Sequence, residues 1–133
     1  MKGLLIFLIF FPVTVFCCTC SNYIHPNHQE DLEDSSITWL VVKNTGREYT
    51  KRKWMRYEYS FDVQESIDHN YKSKEISVLS SGGSCGSFFE EGQVYLIGIR
   101  KNKKGEYVSS TCTFKIPYLK TSKEYVLLKE YFK

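Results

Sequence analysis

Beyond its first residues the sequence has no second long apolar run, no internal repeat, no low-complexity tract and no Asn-x-Ser/Thr sequon. These absences argue against a multi-span membrane protein, a repeat solenoid and N-linked glycosylation. Catalytic signatures are also missing. There is no His-Glu-x-x-His helix, no phosphate-cradling glycine loop and no Ser/His/Asp set in a recognisable context. An enzyme is therefore the class least expected, and no cofactor of the protein's own is implied. The net charge of +3 is mild and argues against a dedicated nucleic-acid partner.

What is present begins with Lys2 and an apolar run over residues 3–16. The run is too short to span a bilayer comfortably, and its first part has no polar face at any period. A basic start, an apolar stretch and a small-residue boundary form the pattern of a secretory signal peptide. Cleavage after Cys17 places Cys17 and Val15 at the two positions that want small side chains, whereas cleavage one residue earlier puts Phe16 at the cut. The expected leader is residues 1–17. The expected mature chain is residues 18–133, a secreted, extracellular, monomeric single domain with no membrane span and Cys18 as its N-terminus.

Cysteine counting agrees. Of the five cysteines, losing Cys17 leaves Cys18, Cys20, Cys85 and Cys112, an even set suited to an oxidising compartment. Cys18 and Cys20 are poorly placed to bond each other, so each is expected to reach one of the distant pair. Which reaches which is left open by the residues.

Residues 55–63 put Met55, Tyr57, Tyr59, Phe61 and Val63 on alternate positions with polar residues between, the pattern of a half-buried strand. Residues 37–42 are almost wholly apolar and read as a strand covered on both faces. The polar stretch 43–53, with Asn44, Thr45 and Gly46, reads as a long hairpin connection. Three further strands are expected at 75–79, 93–100 and 106–114, with a Ser/Gly loop at 80–86 and a basic turn at 101–105. Thr121 and Glu124 form a capping-box pattern ahead of a helix that presents Tyr125, Leu128 and Phe132, and a second helix is expected over 27–34. The fold class that results is mainly β: a five-stranded Greek-key barrel of the oligonucleotide/oligosaccharide-binding type with flanking helices.

Cys18-Thr19-Cys20 at the processed N-terminus resembles the start of the tissue inhibitors of metalloproteinases. The likeness continues at Ser84-Cys85-Gly86, at Tyr95-Leu96-Ile97-Gly98 and at Ser110-Thr111-Cys112-Thr113-Phe114, spanning nearly all of 18–133 as a netrin-like module. It implies a five-stranded barrel and pairing of Cys18 with Cys85 and of Cys20 with Cys112. It also implies that the α-amino nitrogen and carbonyl oxygen of Cys18 chelate the catalytic zinc of a target protease, a matrix metalloproteinase or a relative. Thr19 would enter the main specificity pocket, with Cys20, Ser21, Gly83, Ser84 and Cys85 in the contact ridge.

The chemistry suits these residues. A catalytic zinc keeps one position open, which a rigid two-atom ligand can occupy. An α-amine, with a pKa of about 7.7–8.0, is partly neutral at physiological pH, whereas a lysine amine is not. Family members usually carry further cysteines that staple the N-terminal segment to the end of the domain. None stands near Glu30 or before Lys133 here, and these residues hold no second cysteine-rich domain.

Two other clusters stand out. His25 and His28 beside Glu30 and Asp31 read as a solvated helix start rather than a metal site, and His69 stands isolated. Arg47, Lys51, Arg52, Lys53 and Arg56, interleaved with Tyr49 and Trp54, form the densest basic stretch. They support the alternative function, a secreted netrin-like module that binds glycosaminoglycans or signalling proteins without inhibiting proteases.

Overall fold

The computed structural model describes residues 20, 23–82 and 85–133. Six strands are formed among them: β1 (Ile37–Tyr49), β2 (Tyr57–Ser66), β3 (Glu75–Ser80), β4 (Val94–Lys101), β5 (Tyr107–Ser109) and β6 (Phe114–Pro117). Two short helices flank them, α1 (Gln29–Glu33) and α2 (Lys123–Tyr131). The first five strands close in the order β1-β2-β3-β5-β4 and back to β1. The β3–β5 pair is parallel and the others antiparallel, which gives a closed, mixed five-stranded barrel consistent with the oligonucleotide/oligosaccharide-binding fold. No helix among the described residues is long and apolar enough to cross a membrane.

Two apolar layers explain the strand patterns. Inside the barrel lie Leu40, Val42, Tyr59, Phe61, Ile76, Val78, Phe89, Tyr95, Ile97 and Ile99. Outside it, under α2, lie Ile24, Ile37, Trp39, Val41, Ile67, Leu96, Phe114, Tyr125 and Leu128. β1 therefore sends Leu40 and Val42 inward and Ile37, Trp39 and Val41 outward into the second layer, so residues 37–42 are buried without a break. β2 has the barrel on one side and solvent on the other, and alternates accordingly: Tyr59 and Phe61 buried, Ser60 and Asp62 exposed.

Gly98 is what lets the outer layer close. The Trp39 ring lies directly over it, and a Cβ built there would fall 2.5 Å from one ring carbon and under 3.0 Å from two more. Trp39 is fully buried and has no room to retreat. Gly98→Ala is expected to destabilise the protein by about 1–3 kcal/mol, an overpacking cost read by urea denaturation. A loss under about 0.5 kcal/mol would mean that the indole moves freely.

Four sequence expectations are corrected. The stretch 43–53 is not all connection: β1 runs on to Tyr49, and only residues 50–56 link it to β2. Asn44 and Gly46 make a register shift inside the strand rather than a turn. The Asn44 side chain is buried and satisfied there, donating to the Phe89 carbonyl at 3.0 Å and accepting from the Gly46 N–H at 3.0 Å. Residues 106–114 are not one strand but β5 and β6, split by a turn at 110–113. β5 pairs with β3 and the end of β4, whereas β6 lies along Tyr95–Gly98 of β4, so the chain must break to change neighbours. Finally, α2 is capped by Ser122 rather than Thr121: the Ser122 hydroxyl accepts from the Tyr125 N–H. The first helix is also shorter than 27–34, covering Gln29–Glu33 alone.

α2 is held to the barrel without a disulfide of its own. Leu128 is fully buried and Tyr125 nearly so. The Tyr125 hydroxyl donates to Glu65 at 2.8 Å, and Lys129 reaches the other oxygen of the same carboxylate at 2.7 Å. Burial works to raise the Glu65 pKa, but the hydrogen bonds from Lys129 and Tyr125 outweigh it and hold the carboxyl below its usual range. Burial and the adjoining carboxylate push the Tyr125 phenol up. Tyr125→Phe is expected to cost about 1–2 kcal/mol at neutral pH, since it removes a hydrogen bond to a charged acceptor. Because the folded Glu65 pKa lies below the unfolded value of about 4.3, its contribution is present above that pH and disappears as pH falls through the depressed value. The gap between variant and wild type in urea titrations should therefore narrow below about pH 4; an unchanged gap would assign the loss to packing alone.

Candidate functional site

The turn between β5 and β6 is built by hydroxyls. The Ser110 N–H donates to Thr113 Oγ1 at 3.0 Å, the Thr113 N–H to the Ser110 carbonyl at 3.0 Å, and the Cys112 N–H to Ser110 Oγ at 3.1 Å. Such side-chain closures compete well with continued strand pairing. Cys112 is thereby presented beside the N-terminal segment, where it is disulfide-bonded to Cys20 with the two Cα atoms 5.3 Å apart. Four residues on, the Ile24 N–H donates to the Cys112 carbonyl at 3.1 Å, and the Ile24 side chain is buried in the outer layer. The segment from Cys20 to Ile24 is thus fixed at both ends to the same turn.

The β3–β4 connection brings Cys85 to that turn. At the end of β3, buried Ser80 accepts from the Ser87 N–H at 3.0 Å and can donate to the Ser87 carbonyl at 2.9 Å, which pinches the loop shut. Gly86 then bridges Ser110, Ser87 Oγ donates to the Ser110 carbonyl at 2.6 Å, and the Thr111 N–H donates to the Cys85 carbonyl at 3.2 Å. A Cβ on Gly86 would lie 1.6 Å from the Ser81 carbonyl oxygen, so no other residue fits at this crossing. Past the loop, the Lys115 amine donates to the Phe88 carbonyl and lies over the Phe89 and Tyr95 rings, and burial pushes its pKa down. Cys85 is exposed and disulfide-bonded.

Of the residues singled out in the sequence, Cys20, Cys85 and Cys112 are therefore gathered on one surface, and the Cys20–Cys112 pairing implied by the family resemblance is present. Cys18, Thr19, Ser21, Gly83 and Ser84, together with the expected leader, lie outside the described residues, so the Cys18–Cys85 pairing does too.

The histidine cluster has a structural task. Asp31 accepts from the His25 N–H at 2.9 Å, sits 3.2 Å from His28 Nδ1 and pairs with Arg100 at 3.6 Å, tying α1 to β4. Asp34 adds a 2.8 Å contact to the same arginine, and its carboxyl is held below the usual range, chiefly by the Ser36 hydroxyl. His69 lies in the left-handed turn after β2, at φ 59°.

The basic stretch divides in two. Arg47, at the end of β1, lies over the rings of Tyr57 and Phe88, at 4.9 and 5.3 Å from their centroids. Arg52, Lys53 and Trp54, in the β1–β2 loop, face the β4–β5 turn with Lys103 and Lys104. The sequence shows the basic turn at 101–105 but carries no sign that it meets this loop, because only barrel closure brings the two together. Compared with known proteins, the chain matches no protein-family model, and a search of curated proteins finds no match.

Proposed function

We propose that this protein is a secreted inhibitor of zinc metalloproteinases of the tissue-inhibitor type, a netrin-like module over residues 18–133 released by removal of residues 1–17. The Cys18 amine and carbonyl oxygen chelate the zinc of a matrix metalloproteinase or a related protease. Thr19 enters the specificity pocket, and Ser21, Gly83 and Ser84 flank it. The zinc belongs to the target, and the inhibitor performs no chemistry of its own.

The observation that carries this reading is the convergence of Cys20, Cys85 and Cys112 on one ridge, with the chain leaving Cys20 clamped to the β5–β6 turn. Two residues span at most about 7 Å, so Cys18 can reach no part of the molecule far from that ridge. A short segment tethered next to rigid loops loses little ordering entropy on binding, which is what a tight chelating inhibitor requires. The test is direct. The chain is expressed through a secretory pathway, its mature N-terminus is read by mass spectrometry, and it is titrated against a panel of matrix metalloproteinases. Stoichiometric inhibition by a chain beginning at Cys18 is expected. A correctly processed, oxidised chain that inhibits no member of a broad panel would overturn the proposal.

A further inference from the structure

The β1–β2 connection puts three cations in a row, Lys51, Arg52 and Lys53, directly ahead of Trp54. All four residues are exposed, Trp54 at 75%. Thr50 closes the base of the loop. Its N–H donates to the Arg56 carbonyl at 2.9 Å, and its hydroxyl accepts from the Arg52 N–H at 3.2 Å and donates to the Met55 carbonyl. Beyond that base the main chain is bare. Among the described residues, the two peptide groups flanking Lys53 make no hydrogen bond through either N–H or carbonyl. The side chains are held lightly as well. Arg52 meets Glu106 at 2.7 Å across open surface, a pair that solvent screens, and no ion pair among the described residues involves Lys51 or Lys53.

The other basic connections are built differently. Around Lys103 and Lys104 the Asn102 side chain accepts from the Lys104 and Glu106 N–H groups at 2.9 and 3.0 Å, and Gly105 takes the left-handed conformation that this tight turn requires, at φ 80°. Lys72 and Ser73 are exposed but lie between two anchors. One is Tyr71, whose hydroxyl donates to the Glu75 carbonyl at 2.6 Å, and the other is Lys74, whose carbonyl accepts from the Val63 N–H at 2.7 Å. Lys120 sits inside a turn closed by the Ser122 N–H, which donates to the Leu119 carbonyl at 3.0 Å. A protease draws its substrate out into an extended strand. Hydrogen-bonded turns must open before they can be cut, at a free-energy cost that the bare stretch 51–54 avoids.

We propose that the β1–β2 loop is a processing site for a serine protease of the trypsin type, cut on one side or the other of Lys53. Such a protease carries a carboxylate at the foot of its specificity pocket, and the loop offers it Arg52 or Lys53 with further cations adjoining. In the cut, water adds across the peptide bond: the carbonyl carbon becomes a carboxylate and the nitrogen leaves as a new α-amine. The product is a two-chain protein rather than a pair of fragments. β1 and β2 stay paired from Leu40 opposite Ser66 to Tyr49 opposite Tyr57, and the Cys20–Cys112 bridge joins the two pieces covalently. What the cut releases is the loop that Arg52 ties to Glu106 of the β4–β5 turn. The inference does not rest on inhibition of metalloproteinases and can fail without it.

To test this, the full oxidised chain is incubated with a catalytic amount of trypsin, and the earliest products are mapped by mass spectrometry with and without reductant. The first cut is expected at a bond flanking Lys53, in a chain that gains one water and stays whole until reductant separates two pieces. Circular dichroism of the nicked form should match that of the intact chain. K51Q/R52Q/K53Q should slow the first cut about tenfold or more, whereas K103Q/K104Q should leave its rate unchanged. Mapping the wild-type products needs no variant, so the test stands even where the triple variant fails to fold. The proposal is overturned if the first cut falls at any other bond, or if the triple variant is cut as fast as wild type. It is also overturned if the nicked chain loses its barrel signal, because cleavage would then have drawn on global unfolding.

Discussion

One alanine placed ahead of Cys18 is expected to reduce inhibition of a responsive metalloproteinase by about a thousandfold, a loss of ~4 kcal/mol, while leaving the melting temperature unchanged. The reasoning rests on one atom. In the proposed complex the Cys18 nitrogen is an amine with a free lone pair, and together with the carbonyl oxygen it fills the open zinc position. The added residue turns that amine into an amide, whose lone pair is delocalised into the carbonyl and does not bind metal. It also drives extra backbone into a site sized for two atoms. Among the described residues the first anchored one is Cys20 and the first buried side chain after it is Ile24, so no described contact of the barrel depends on the change.

The same amine predicts a pH dependence. Below a pKa of about 7.7–8.0 it is increasingly protonated and unable to donate, so affinity should fall about tenfold for each further pH unit, after correction for the protease's own titration. Equal potency of the native and extended chains would sink the chelation mechanism while leaving the fold untouched. The inhibitor would then have to act through the ridge alone.

Much of the barrel was legible because its patterns follow from which faces are covered. The uninterrupted apolar run at 37–42 and the alternation at 57–63 differ because the outer layer around Trp39 and Leu128 covers β1 and β4 but not that part of β2. What escaped was decided by individual side chains. Asn44 and Gly46 carry turn chemistry, yet the Asn44 side chain, donating to the Phe89 carbonyl and accepting from the Gly46 N–H, uses it to shift the register within a strand. Ser110 and Thr113 look like ordinary strand residues, yet their hydroxyls close the turn that splits β5 from β6. Thr121 and Ser122 are equivalent as caps on paper, and the backbone geometry entering α2 selects the second.

The site divides in the same way. Cysteine parity pointed to long bridges, but only the family resemblance offered Cys20 with Cys112 rather than with Cys85. The approach of Lys103 and Lys104 to Arg52 had no local signal at all, since it depends on β1 and β4 lying side by side over Ile37–Lys43. Contacts between loops are a property of closure, and closure is invisible to a pattern read along one strand.

Replacing Cys20 and Cys112 together by serine is expected to have the largest effect on stability of any change considered. The bridge closes a loop with a sequence separation of 92 residues. For a loop of that length the chain-entropy relation gives about 4–5 kcal/mol. That is a large part of the 5–15 kcal/mol by which a domain of this size is normally stable, and it corresponds to a fall of roughly 15–20 °C in melting temperature. Once the bridge is gone, the segment that follows Cys20 is tied to the turn by the Ile24 N–H bond to the Cys112 carbonyl, which contributes only about 1 kcal/mol, and by the burial of Ile24 itself. The variant should therefore fail in a second way at temperatures where it is still folded. With the clamp at Cys20 released, the proposed chelating segment is no longer preorganised, and its ordering entropy must be supplied on binding. Inhibition should weaken by about a hundredfold or more, and circular dichroism should show an intact barrel at the assay temperature. A folded variant with undiminished inhibition would mean that the ridge positions the N-terminus without this bridge. Stability within about 1 kcal/mol of wild type would mean that the unfolded chain is already constrained by other means.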